Sequence, residues 1–226
     1  MLAAVPVRQH APMRAIDGFP PAKVPEPLQA DEIHVWRLQR PKGTGREPLL
    51  ALLARYLDAA PAAVRLVEGE HGRPALDAIH GGVFDFNWSH CGEQALVALA
   101  RGLSPGIDLE RLRPRANALK IAQRFFTAAE AAWLETLDED ERDEAFLDLW
   151  TAREAVLKAL GRGIAFGLDR LSFQRGPDGL VLHRLDGDDP AAWQLHRVDS
   201  GKDAFARLAW RGAPRRIRLF ALADDA

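Results

Sequence analysis

The chain has 226 residues, of which 47% are apolar and 27% charged, with a formal net charge of −2. That balance reads as a soluble globular protein with ample core. It excludes a basic field for nucleic acid, and no apolar run reaches membrane-spanning length. Cys91 is the single cysteine, so an intramolecular disulfide is excluded and a reducing compartment is favoured.

Residues 1–30 carry six of the fifteen prolines, Pro6, Pro12, Pro20, Pro21, Pro25 and Pro27. Proline neither continues a helix nor donates to a ladder, so this stretch reads as an extended or partly disordered surface arm. The start, Met1 to Pro12, lacks the charged and apolar regions of a signal peptide, and a cytoplasmic protein bound to no membrane is expected. Ile33 to Leu38 predicts a first strand. A loop with Arg40 and Lys42 follows, then a helix that buries Leu49, Leu52, Leu53, Tyr56 and Leu57. Strands are expected at Val64–Val67, Val83–Trp88, Gln94–Ala100 and Gly106–Glu110, with a turn at Gly72-Arg73-Pro74.

Past Pro114, Leu119 to Phe126 reads as helical. Thr127 and Glu130 have capping-box spacing and open a helix through Leu137. The acidic run 138–143 suits the start of a long helix ended by Gly161. Five strand-like pieces close the chain: 170–174, 180–184, 193–198, 205–211 and 216–221. The fold class expected is α+β, in two lobes of similar size that meet near Pro105: 31–105 after the arm, and 106–226.

Two acidic stretches stand out. In Gly106-Ile107-Asp108-Leu109-Glu110 the carboxylates alternate with apolar residues, so strand geometry puts Asp108 and Glu110 on one face. In Trp150 to Lys158, Trp150, Glu154 and Lys158 fall at i, i+4 and i+8, one stripe of a helix. Each alone reads equally well as a solvated face or a surface pair. Together, three carboxylates make a hard oxygen site suited to Mg²⁺, with neighbouring Lys and Arg suited to phosphate.

Over residues 72–173 the chain resembles the two-lobed 4′-phosphopantetheinyl transferases. The resemblance rests on Gly72-Arg73-Pro74, Phe86-Asn87-Trp88-Ser89-His90-Cys91, Gly106 to Glu110, Arg124 to Glu130 and Trp150 to Lys158, in that order, with Gly161 to Ile164, Leu168-Asp169 and Ser172-Phe173 after them. Arg73 and Arg153 stand where the family usually has lysine, Trp88 where leucine is common and Cys91 where serine is common.

The resemblance implies two lobes related by a pseudo-twofold, with the active site in the cleft between them. It implies transfer of the 4′-phosphopantetheine arm of coenzyme A to a carrier-protein serine, releasing adenosine 3′,5′-bisphosphate. Asp108, Glu110 and Glu154 would hold Mg²⁺, and Lys158 would contact the pyrophosphate. Glu154, Glu130 or a metal-bound water would be the base. Arg73, Ser89, His90, Arg153 and Arg46 are the further coenzyme A contacts expected, with Arg40 and Lys42 nearby. Arg111 to Phe126 would dock an acidic apo acyl or peptidyl carrier protein. Trp150, Leu157, Phe125 and Phe126 read as core, and Trp88 and Cys91 as bystanders. Length favours a monomer, one chain supplying both cleft walls. The competing readings are a Mg²⁺-dependent phosphodiesterase and a catalytically silent carrier-binding protein.

Overall fold

The computed structural model describes residues 18–23, 25–69, 71–177 and 179–223. Residues 1–17, and with them most of the proline-rich arm, lie outside the described residues. The elements in chain order are β1 (Pro21–Ala22), β2 (Glu32–Gln39), α1 (Glu47–Leu57), β3 (Leu66–Glu68), β4 (Pro74–Leu76), β5 (Asp85–Cys91), β6 (Gln94–Ala100) and β7 (Gly106–Arg111). Then come α2 (Ala118–Phe125), α3 (Ala128–Glu135), α4 (Glu139–Leu160), β8 (Leu171–Gly176), β9 (Gly179–Leu185), β10 (Trp193–Arg197), β11 (Ala204–Arg211) and β12 (Arg216–Leu222). The architecture is α+β, as expected.

Two sheets organise the chain. The first runs β1-β12-β2-β6-β5 and the second β10-β11-β7, while β3-β4 and β8-β9 are hairpins. One face of the first sheet packs on α1 through Trp36, Leu38, Leu49, Leu52, Phe86 and Val97. Its other face meets the second sheet through Val35, Leu96, Ala98, Ile107, Leu109 and Leu208. The far face of the second sheet, with Leu195, Phe205 and Ala209, packs on α4 and its neighbours, including Leu147, Val156 and Leu157. The order of layers is helix, sheet, sheet, helix.

The chain does not divide cleanly near Pro105. β12 pairs parallel with β2, Ile217 opposite Ile33, so the last strand belongs to the first sheet and not to the lobe expected for 106–226. The physical reason is that β12 fills an otherwise open edge of β2 and buries Leu219 and Phe220 against that sheet. The described end of the arm is likewise packed: Pro21 pairs with Ala221, and Phe19 is 9% exposed under the Arg37 guanidinium.

Two of the helix starts expected from sequence have side-chain caps. The Thr127–Glu130 capping box is present at α3, and the Asp138 side chain accepts the Glu141 N–H at the start of α4. α4 ends at Gly161, which takes the left-handed conformation at φ 68°. Gly106 has a steric reason for its identity. A Cβ there would stand 2.0 Å from the Ala155 carbonyl oxygen and 2.5 Å from the Ala159 nitrogen. Only glycine lets α4 close so tightly on β7, and that closure brings Glu154 and Lys158 over the strand that carries Asp108.

Candidate active site in the cleft

The site is built from the alternation of β7. Ile107 and Leu109 enter the core towards the first sheet, while Gly106 lies against α4. Asp108 and Glu110 share the parity of Gly106 and lie near enough to Glu154 on α4 to act on its charge. The Lys158 ammonium, one turn beyond Glu154, donates to Asp108 Oδ1 at 2.6 Å, to Ser89 Oγ at 3.2 Å and to the Ile107 carbonyl at 3.2 Å. Ser89 Oγ in turn donates to Asp108 Oδ1 at 2.9 Å.

Two carboxylate oxygens are left over. Asp108 Oδ2 and Glu154 Oε1 are buried and have no hydrogen-bond partner among the described residues. Burial pushes the Glu154 carboxyl above its ordinary range; Lys158 opposes this, and Asp108 and Glu110 add to it. A buried acceptor without a donor costs stability, so such a pair fits a hard cation. The expected three-carboxylate set is only partly assembled. Glu110 accepts from Arg115 Nη2 at 2.7 Å, and no group of three such ligands is formed among the described residues.

Glu154 and Lys158 open onto a cleft of about 230 Å³, with Asp108 buried behind Lys158. One wall is the turn from His71 to Pro74 with Asn87 and Trp88. The other is Glu154, Lys158 and the loop from Gly161 to Ile164. Trp88, read from sequence as a bystander, therefore lines the cleft. A larger hollow of about 500 Å³ lies elsewhere along α4. Its buried guanidinium, Arg207, is already bidentate on Asp148 at 2.6–2.8 Å, so that hollow offers no comparable pair of orphaned oxygens.

The cationic residues named from sequence fall into three groups. Arg73 lines the cleft, and both terminal nitrogens of its guanidinium are bonded within the protein. It donates to the Lys158 carbonyl at 2.8 Å, to Asp85 Oδ2 at 3.1 Å, and to the carbonyls of Phe86 and Pro105. It thus ties the β4 turn, β5, the Pro105 connection and α4 at one point. Burial lowers its pKa, opposed by Asp85. His90 is exposed beside Trp88, with ring centroids 5.0 Å apart. Burial of part of the ring lowers its pKa, and the charges of Arg40 and then Lys158 lower it further. His90 therefore sits in the field of two cations, a place suited to an anion.

Arg153 and Arg46 do not join the cleft. Arg153 is 0% exposed, paired with Glu130, and its guanidinium lies 3.8 Å from the Phe126 ring centroid and 5.2 Å from that of Phe173. The spacing that puts Glu154 towards β7 turns its neighbour Arg153 into the opposite core. Glu130 is spent in the same place: it accepts from Thr127 as a cap, from Arg153, and from the Phe173 N–H at 2.9 Å. Its structural role stands, and it is no candidate for the base. Arg46 is exposed and paired with Glu68 at 3.0 Å. Ser89 is 9% exposed and accepts from the Lys158 ammonium. Phe125, expected in the core, is 40% exposed with Arg124 stacked on it, whereas Phe126 is buried.

Asn87 is the residue that the motif contained and sequence reasoning left without a role. The readable signal was its place in β5: Asn87 and Ser89 alternate with Phe86 and Trp88, so two polar residues occupy the face turned to the second sheet.

The profile of the 4′-phosphopantetheinyl transferase superfamily matches residues 104–209, which contain β7, α4 and both orphaned carboxylates. A putative 4′-phosphopantetheinyl transferase of Synechocystis is 39% identical over 167 residues, 70% of this chain and 66% of that protein. The 4′-phosphopantetheinyl transferase HetI of Nostoc is 32% identical over 171 residues, 61% of this chain and 72% of that protein. The aligned part thus spans about two thirds of the length of these relatives. A holo-(acyl-carrier-protein) synthase structure from Bacillus anthracis covers 49% of this chain at 22% identity and a TM-score of 0.41. By the extent and identity of the match to the Nostoc enzyme, the chain belongs to the 4′-phosphopantetheinyl transferase superfamily.

Proposed function

We infer that the protein transfers the 4′-phosphopantetheine arm of coenzyme A to a serine hydroxyl of an apo acyl or peptidyl carrier protein, releasing adenosine 3′,5′-bisphosphate. The observation that carries this reading is the pair of buried, unpartnered oxygens on Asp108 and Glu154 beside the Lys158 ammonium. Asp108, Glu154 and, on release from Arg115, Glu110 would hold Mg²⁺. That ion, when bound, supplies neutralisation of pyrophosphate charge.

The chain's own residues do the remainder. Lys158 donates to the pyrophosphate and stabilises the charge that develops on the leaving oxygen. His90, exposed in the field of Arg40 and Lys158, binds phosphate. Glu154, directly or through a water beside it, takes the proton of the serine hydroxyl as the serine oxygen bonds to phosphorus and the phosphoanhydride bond breaks. Arg73 holds the wall through Asp85 and the backbone carbonyls it bonds.

The test is product dependence. With coenzyme A and Mg²⁺, adenosine 3′,5′-bisphosphate should appear only when apo carrier is present, and excess EDTA should stop it. Release without any carrier would overturn the transferase reading in favour of a phosphodiesterase.

The carrier docks on the segment from Arg111 to Phe126. Arg111 and Arg113 are exposed there, and Phe125, at the end of the same segment, is 40% exposed. Arg115 is turned inward to Glu110 and the Phe146 ring, so it contributes less than sequence alone implied. Reversing Arg111 and Arg113 to Glu should raise KM for an acidic carrier by about tenfold, an effect that shrinks with added salt, and leave KM for coenzyme A unchanged. Equal changes in both constants would contradict docking here. Because one chain supplies both cleft walls, the active species is a monomer. Sedimentation that finds activity only in a dimer fraction would refute that.

A further inference from the structure

β7 is held by backbone pairing on one side only. Its register with β11 runs from Gly106 opposite Ala209 to Arg111 opposite Ala204. The other edge faces β5, yet the two strands belong to different sheets and share no backbone ladder. Side chains serve that edge instead. The Ile107 N–H donates to Asn87 Oδ1 at 2.8 Å, the Leu109 N–H to Ser89 Oγ at 3.3 Å, and the Ile107 carbonyl accepts from Lys158 Nζ at 3.2 Å. Asn87 is 3% exposed, so the Ile107 N–H would otherwise be buried and unsatisfied.

We propose that Asn87 is a positioning residue: its carboxamide replaces a strand-pairing contact and pins β7 so that Asp108, between the two tied residues, presents its carboxylate to Lys158 on α4. Direct pairing would draw β5 and β7 to about 4.8 Å, the ordinary spacing of neighbouring strands. A side-chain bridge holds them further apart and leaves the Ile107 carbonyl free for the Lys158 ammonium. Asn87 therefore serves two members of the site at once, Asp108 through the strand and Lys158 through the carbonyl left open to it. The consequence for turnover rests on the transferase reading; the pinning of β7 does not.

Two readouts separate these. By amide hydrogen exchange on the whole chain, Asn87→Ala should exchange the Ile107 amide at least about tenfold faster, as expected when a buried hydrogen bond is lost. The Asp108 amide, on the edge paired with β11, should be unaffected. Asn87→Asp keeps the acceptor and should protect Ile107 as the parent does. If Asn87→Ala does not fold, Asn87→Gln, which displaces the carbonyl by one methylene, is read in the same way. In turnover with an apo acyl carrier protein, the Ala variant should lower kcat and raise the Mg²⁺ concentration for half-maximal rate several-fold, with KM for coenzyme A little changed. Unchanged Ile107 exchange in the Ala variant overturns the proposal. So does faster exchange with an unaltered Mg²⁺ requirement and kcat, which would make Asn87 a purely structural tie. A parent protein that transfers nothing sinks the transferase reading while leaving the exchange result to decide whether Asn87 pins the strand.

Discussion

Glu154→Gln should lower transfer at least about a hundredfold, the usual size of effect for a lost preorganised charge contact in an active site. It should do so without loosening the fold. Burial, and the carboxylates of Asp108 and Glu110, hold the Glu154 proton to higher pH than in the unfolded chain. At pH above the ordinary carboxylate range the ionised group therefore costs the folded state stability, and the cost grows as pH rises through the raised pKa. Glutamine removes that charge and leaves the shape. In EDTA near neutral pH the variant should melt at or above the parent temperature while its steady-state rate collapses, the trade expected of a group kept for chemistry. Retained turnover in Glu154→Gln would remove Glu154 from the mechanism.

Glu130→Ala should have the opposite profile. Its carboxylate is the partner of Arg153, which is 0% exposed, and it also accepts from Thr127 and the Phe173 N–H. Deleting it strands a buried guanidinium, whose pKa burial already depresses to about 10 against the opposing pull of Glu130. Breaking a buried pair from one side costs about 3–5 kcal/mol, a large share of a domain's stability. The loss should appear as a lower denaturant midpoint, with turnover per folded molecule within a few-fold of the parent. A variant of unchanged stability and abolished turnover would restore Glu130 as a base.

These two glutamates also mark what sequence made legible. The alternation in β7 and the helical stripe through Glu154 and Lys158 were readable because each depends on one element's own periodicity. Element order was readable for the same reason, with β6 and the end of α4 where patterning put them. What sequence could not give was the direction in which a residue faces when both directions are buried. Arg153 adjoins Glu154, and a motif read as a block assigns both to the ligand, yet a single residue step around the helix, about 100°, sends Glu154 to the cleft and Arg153 into the core. The departure from the family's lysine at Arg153 is accommodated in this chain by Phe126 and Phe173, flat partners for a guanidinium. Arg73 is similar: the motif pointed to a contact with coenzyme A, but three backbone carbonyls and Asp85 accept from its guanidinium. The return of β12 to the first sheet and the β5–β7 seam are long-range pairings, which local patterns do not encode.

The most direct measurement of the central claim is the intact mass of an apo carrier protein after incubation with this protein, coenzyme A and Mg²⁺. The account predicts a gain of one phosphopantetheine on the carrier serine, absent when that serine is alanine, absent with Glu154→Gln over the same interval, and restored by excess Mg²⁺ after chelation. A carrier of unchanged mass, with the protein folded and coenzyme A in excess, would contradict it.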